Sequence, residues 1–252
     1  MECFFALLAY EWRRIFRRPG FFFIGFFFLF FAGLLFWSVL ASYVGQAQTV
    51  GPFTLWLRQS WPLLLLSIPS LTADSIAGER SAGTLDGLLC GSAPPAAILL
   101  AKFFTLLFCY LLLWVVAIAL QPLAFRLAAF RLPFPLWSDM ELLNAFSVLT
   151  LSGALYLSCW LFFSTVARTQ AQVMVATLAS LFGLLFGPPV LLKFLPADRW
   201  PLLEDFFARL GAASPIGWTN RFWDLGTAAI YLIATATVLC LTVAFVRPRL
   251  SP

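Results

Sequence analysis

The chain has no histidine, and only 11% of its 252 residues are charged. Without an imidazole there is no Ser-His-Asp or Cys-His nucleophile pair, no HExxH zinc site and no imidazole proton relay, which removes most hydrolytic chemistry. Cysteine is sparse. Cys3, Cys90, Cys109, Cys159 and Cys240 show no CxxC spacing and mostly fall in or beside apolar runs, so they read as small hydrophobes rather than metal ligands or disulfide partners. No Walker A pattern, GxxxxGK[ST], occurs, and no soluble stretch is long enough for a nucleotide-binding domain.

What is present is apolar. Soluble domains run near 45–50% apolar with about 25% charge, whereas this chain is 62% hydrophobic, with a mean hydropathy of +0.93. There is too little polar surface to cover a water-soluble globule of this size, while a bilayer demands apolar surface outside. The composition is that of an all-α polytopic membrane protein. Its +5 balance is not that of a nucleic-acid binder, because no dense Lys/Arg patch sits on a soluble module. Juxtamembrane basic residues account for it.

Residues 1–18 place Phe4, Phe5, Leu8, Trp12, Ile15 and Phe16 on one helical face and Glu11, Arg13, Arg14, Arg17 and Arg18 on the other. That is an interfacial amphipathic helix. Trp12, Arg13, Arg14, Arg17 and Arg18 are its membrane-interface residues, the arginines meeting anionic lipid. The basic cluster follows the helix instead of preceding an apolar core, so no signal cleavage is expected.

Six spans follow, near 21–44, 55–77, 96–120, 142–167, 171–192 and 225–246. The first carries no charge and has the roughly 20 residues a spanning helix needs. The second holds Arg58, Pro62, Pro69 and Asp74 and should kink. In the third, Lys102 lies near the start and should reach back to the headgroups. Small residues in the fourth (Ser147, Ser152, Gly153, Ala154, Ser158) permit close helix approach. Arg168-Thr169-Gln170 makes a tight turn into the fifth, whose end Gly187-Pro188-Pro189 should disturb. Segment 193–224 is too charged to span and is expected to hold short outer helices. Arginines 13, 14, 17 and 18 precede the first span and no basic residue occurs in 45–54, which places both termini in the cytoplasm.

Segment 78–95 then faces the cytoplasm and is the least generic part of the chain. Leu85, Leu88 and Leu89 fall at helical spacing, Thr84 can cap the turn they start, and Glu79, Arg80 and Asp86 are left for another surface. The string Glu79-Arg80-x-x-Gly83-Thr84-Leu85-Asp86-x-Leu88-Leu89, with Pro69-Ser70-Leu71-Thr72 before it and Pro94 and Lys102 after, closely resembles the connector of ABC-2 type transporter permeases. There the pattern is Glu-[Arg/Lys]-x-x-Gly-Thr-Leu-Glu-x-Leu-Leu, also between spans two and three. The interfacial helix, the six spans and the outer segment look like this family as well. Ser214-Pro215 with Arg221-Phe222-Trp223-Asp224 is similar to the entry to the last span in its gliding-motility and copper-enzyme-maturation branch. Asp86 stands where Glu is usual, Ala73-Asp74 replaces a Met-Arg-like pair, and Ile216-Gly217-Trp218 replaces an aromatic or His-containing stretch.

The resemblance implies one ABC-2 transmembrane domain over 1–252, with 78–95 as a coupling helix docking on a separate cytoplasmic ATPase. Glu79, Arg80, Gly83, Thr84, Leu85 and Asp86 are the implied coupling residues. Glu79, Arg80 and Asp86 would touch the ATPase or the first helix. It further implies no catalytic residue, no metal and no bound cofactor on this chain, with ATP and Mg on an ATPase dimer. A second permease copy or a related permease, and the lipid bilayer, complete the partners in a bacterial-type cytoplasmic membrane. The expected activity is export. The alternatives are an anchor relaying ATP-driven motion to an outer machine, a secondary transporter, for which mid-depth ionisable groups are wanting, and a lipid-modifying enzyme. The last would have to use Asp198, Arg199, Glu204, Asp205, Arg209 and Arg221.

Overall fold

The computed structural model describes residues 2–44, 51–72, 75–81, 83, 94–127, 137–167, 169–194 and 225–246. Thr84, Leu85, Asp86, Asp74, Arg168 and the charged outer residues 195–224 lie outside the described residues. All regular structure among the described residues is α-helix.

Helix α1 (Glu2–Phe16) gives way to α2 (Pro19–Val44) at a proline. Pro19 has no N–H to extend the α1 ladder, yet its fixed φ suits the first position of a new helix. The turn is closed by the Arg18 N–H on the Ile15 carbonyl and the Phe21 N–H on the Arg18 carbonyl, both at 3.1 Å.

The kink expected of the second span is a break. Helix α3 (Pro52–Gln59) stops at Ser60 and α4 (Trp61–Thr72) begins again. Pro62 is the cause, since it has no N–H to continue the α3 ladder, while its fixed φ suits the first turn of α4. Ser60 serves both pieces, its N–H bonding the Leu57 carbonyl at 3.2 Å and its carbonyl accepting from Leu63 at 2.9 Å. Pro69, by contrast, is held inside α4.

After the short α5 (Ala77–Ser81) come α6 (Pro95–Leu127), α7 (Asp139–Val166), α8 (Gln170–Phe194) and α9 (Leu225–Val246). A capping box starts α7: Ser138 Oγ accepts from the Glu141 N–H at 3.2 Å, and Glu141 Oε2 accepts from the Ser138 N–H at 2.9 Å. Thr169 and Gln172 exchange the same pair of bonds at 3.3 and 3.4 Å at the start of α8, so α7 and α8 form a hairpin. Gly187-Pro188-Pro189 does not end α8, which continues to Phe194. In apolar surroundings, leaving the helix would orphan more backbone groups than two prolines do.

Helix α7 lies at the centre, packed against α9, α6, α8 and α4. Its small residues set the spacing. A Cβ added to Gly153 would overlap the ring of Tyr110 on α6, a side chain with no exposed surface. Around the α2, α3 and α6 contact, Trp56 stands edge-on to Trp114 (5.8 Å) and Phe36 (6.1 Å), and Phe28 to Trp114 (5.3 Å). Trp56 Nε1 donates to the Ala32 carbonyl of α2 at 3.0 Å, which fixes α3 on α2.

Four described helices are long and apolar enough to cross a membrane, over Pro19–Ser42, Pro95–Leu123, Asp139–Val166 and Thr227–Phe245. The break at Ser60 leaves α4 at 12 residues, below that length.

Gly153→Ala should lower stability in detergent by about 1–3 kcal/mol through overpacking. Adding Tyr110→Leu should restore part of the loss in thermal melts; no loss from the single change would show that α6 and α7 are not in close contact there.

Candidate functional site

On α1, Glu11 and Arg14 are one turn apart and share a face. That face is turned inward, leaving Glu11 only 5% exposed, while Arg13 and Arg17 are exposed on the same helix. Opposite stands Lys102, two turns into α6 and 2% exposed. Its Nζ donates to Glu11 Oε1 at 2.6 Å and to Glu79 Oε1 at 2.7 Å. Arg14 Nη1 makes an ion pair with the same Glu79 oxygen and lies 3.6 Å from Glu11 Oε2. Glu79, on α5, is 1% exposed. The quartet of two cations and two carboxylates is neutral, and it joins the N-terminal helix, the connector and α6 at one point.

Burying Glu11, Glu79 and Lys102 and most of Arg14 is costly, and each charge is tolerable only because opposite charges sit close by. A cavity of about 30 Å³ adjoins the quartet, lined by Glu11, Arg14, Arg18, Ser75, Lys102 and Thr105 among others. It has the size and polarity for a bridging water. Ser75 Oγ lines it, buried and without a hydrogen-bond partner among the described residues.

The next residue on α5 faces elsewhere. Arg80 Nη1 donates to the Ala167 carbonyl at 2.9 Å and Nη2 to the Thr165 carbonyl at 3.2 Å. These carbonyls belong to the end of α7, where the last turn leaves acceptors unsatisfied and the helix dipole favours a cation. Two consecutive residues therefore tie α5 to opposite parts of the bundle. Glu79 holds α1 and α6, and Arg80 holds the α7–α8 hairpin.

Gly83 follows α5 with φ +67°, its N–H on the Arg80 carbonyl at 3.2 Å. A glycine is required here by conformation, since a Cβ would meet no neighbour within 4 Å but would be strained at positive φ.

No family model matches the chain, and no curated protein matches it. The site is a set of ionic ties between helices. Its carboxylates are already engaged by cations, and among the described residues no three His, Cys, Asp or Glu side chains gather as metal ligands.

Of the residues singled out from sequence, Glu79, Arg80 and Gly83 meet at α5. Glu79 turns to the first helix, and Arg80 to the end of α7. Trp12 packs on Phe16 (4.6 Å) and on Phe108 of α6 (4.4 Å). Arg14 leaves the outer face to which the sequence assigned it, because Glu79 and Glu11 draw it inward. Lys102 does not reach back to headgroups; two carboxylates are nearer. Glu11 and Lys102 were missed as site residues. The signal was there in their isolation, since Lys102 is the only charge in the first 30 residues of α6 and Glu11 is the only acid amid the arginines at the end of α1.

Lys102→Met should destabilise the protein by about 3–5 kcal/mol, the usual effect of stripping one partner from a buried ion cluster, and adding Glu79→Gln should recover part of it. Unfolding of the three proteins in one detergent measures this, and equal stabilities would mean that the quartet does not form. At the connector, Gly83→Ala should introduce about 1–2 kcal/mol of strain and Gly83→Asn less, read as faster proteolytic cleavage within 82–93 in the alanine variant only.

Proposed function

We propose that this chain is the permease subunit of an ABC-2 type transporter, driven by a separate ATPase and exporting its substrate across a bacterial-type cytoplasmic membrane. On this reading α1 lies at the cytoplasmic interface and the chain crosses six times, through α2, the broken α3–α4 pair, α6, α7, α8 and α9, with both termini cytoplasmic. The observation that carries the reading is the fastening of α5. The segment bearing the Glu-Arg-x-x-Gly pattern is tied by Glu79 to α1 and α6 and by Arg80 to the end of α7.

A connector that transmits force must be anchored in the membrane domain and leave a surface for the motor. The two ties supply the anchorage, and the residues after Gly83 are assigned to the motor. ATP and Mg belong to the partner ATPase, two copies of which would pair with two permeases.

Affinity purification of the tagged protein from native membranes, in mild detergent and scored by mass spectrometry, should return a near-stoichiometric P-loop ATPase. Asp86→Lys should remove that ATPase while membrane insertion is retained. Absence of any ATPase across several detergents, or its retention in Asp86→Lys, would falsify the docking assignment.

A further inference from the structure

The broken α3–α4 pair puts polar groups where an ordinary crossing helix has none. Helix α3 starts beside the first turn of α7, since a Cβ on Gly51 would fall 3.5 Å from Glu141 Oε1. Helix α4 ends beside the quartet, where Leu71 shares a cavity wall with Lys102 and Thr105. With 8 and 12 residues, the two pieces are about 12 and 18 Å long at a rise of about 1.5 Å per residue. The break at Ser60 therefore falls near mid-depth between those two ends. Trp56, one turn before the break, agrees with this, because its Nε1 bonds the Ala32 carbonyl at 3.0 Å and Ala32 lies midway along the 26-residue α2.

At that depth α2 exposes Phe27, Phe30 and Phe31, which is what a lipid-facing surface requires. The break presents something else. Arg58 is half-buried and Gln59 is exposed. Two carbonyls have also lost their usual ladder donors: Pro62 has no N–H for that of Arg58, and the Leu63 N–H goes to Ser60 at 2.9 Å in place of Gln59. A primary amide turned to hydrocarbon is costly, and irregular backbone at this depth is tolerated where it is buried in protein or lines water. Ser60 is buried, so the exposed Gln59 side is the one that meets water. Arg58 is the one formal charge at this depth in the described helices. A guanidinium stays protonated in proteins, so it selects for charge and does not carry a proton.

We propose that the α3–α4 break lines a water-filled cavity in which Arg58 and Gln59 bind an anionic group, a carboxylate, phosphate or sulfate, of the transported molecule. The guanidinium offers paired donors to two oxygens, and the Gln59 amide donates to the same group. The assignment rests on the permease reading and names the charge of its substrate. It also accounts for the interruption itself, because a continuous helix would turn the same residues toward lipid without water to meet them.

The test uses the full chain in lipid vesicles without any ATPase, with its five native cysteines changed to alanine. Gln59→Cys is labelled with two thiol reagents, methanethiosulfonate ethylsulfonate, which is anionic, and its cationic ethyltrimethylammonium counterpart, each rate being divided by that of a free thiol in water. Both should react, the anionic reagent about 10-fold the faster through focusing of the field in a cleft. Adding Arg58→Gln should abolish the preference, and Arg58→Lys, which keeps the charge, should retain it. Phe30→Cys, exposed on α2 at a similar depth, should react with neither reagent. Four results overturn the proposal: an unreactive Gln59→Cys, which would make the break lipid-facing or sealed; equal rates for the two reagents; a preference that survives Arg58→Gln; or equal labelling of Phe30→Cys, which would place both positions outside the bilayer. No ATPase takes part, so an unreactive or unselective Gln59→Cys leaves the ATPase purification to decide the permease reading by itself.

Discussion

An ammonium group inside an apolar helix must have carboxylates within reach, and most of the arrangement around the connector follows from that requirement at Lys102. Two acids satisfy it from opposite directions in sequence, Glu11 from the first helix and Glu79 from the connector. Because both must approach one nitrogen, α1 has to dock on α6 and α5 has to close beneath them. Arg14 then finds Glu79 already in place and shares its oxygen. Once Glu79 is fixed, its neighbour Arg80 emerges on another side of a one-turn helix and meets the carbonyl end of α7.

The two ties differ in kind. The Glu79 tie is ion to ion in buried surroundings, where attraction is strong and separation leaves unpaired buried charge. The Arg80 tie is ion to helix end, and solvent or a phosphate could substitute for the carbonyls with smaller loss. On the proposed reading, a force applied to α5 carries α1 and α6 with it as one body, and any slippage occurs first against the α7–α8 hairpin. At Gly153 the two helices are already close enough that a Cβ would overlap the Tyr110 ring, so α6 and α7 cannot approach further there.

Local rules made much of the fold legible. Uncharged apolar runs mark the long helices and Pro19 the end of the first, but the capping pairs Ser138–Glu141 and Thr169–Gln172 go unread, so the helix that starts at Asp139 is expected only from 142. The second span shows where such rules stop. Several prolines announced a distortion, but which one breaks the helix depends on what receives the freed backbone groups, and Ser60 does so only beside Pro62. Lys102 shows the larger limit. Snorkelling is the right expectation for a lysine judged by its own helix, and it fails because the competing carboxylates lie 91 and 23 residues away. Arg14 left its expected face for the same reason, while Arg13 and Arg17, with no such partner, stayed where amphipathicity put them. The candidate residues Thr84, Leu85 and Asp86 lie outside the described residues.

The ionic character of the joint answers a problem peculiar to membranes. In water, the apolar face of α1 would dock on α6 simply to leave solvent. At a bilayer surface, where the proposed reading places α1, that drive is gone, because lipid chains are as apolar as the phenylalanines of α6. Apolar contact alone would leave α1 free to drift in the interface. A buried charge has no such freedom, since lipid offers Glu11 nothing to replace Lys102, and the separation would expose unpaired ions to hydrocarbon. The quartet thus specifies where the N-terminal helix sits, and the aromatic contacts made by Trp12 and Phe4 refine a position already chosen electrostatically.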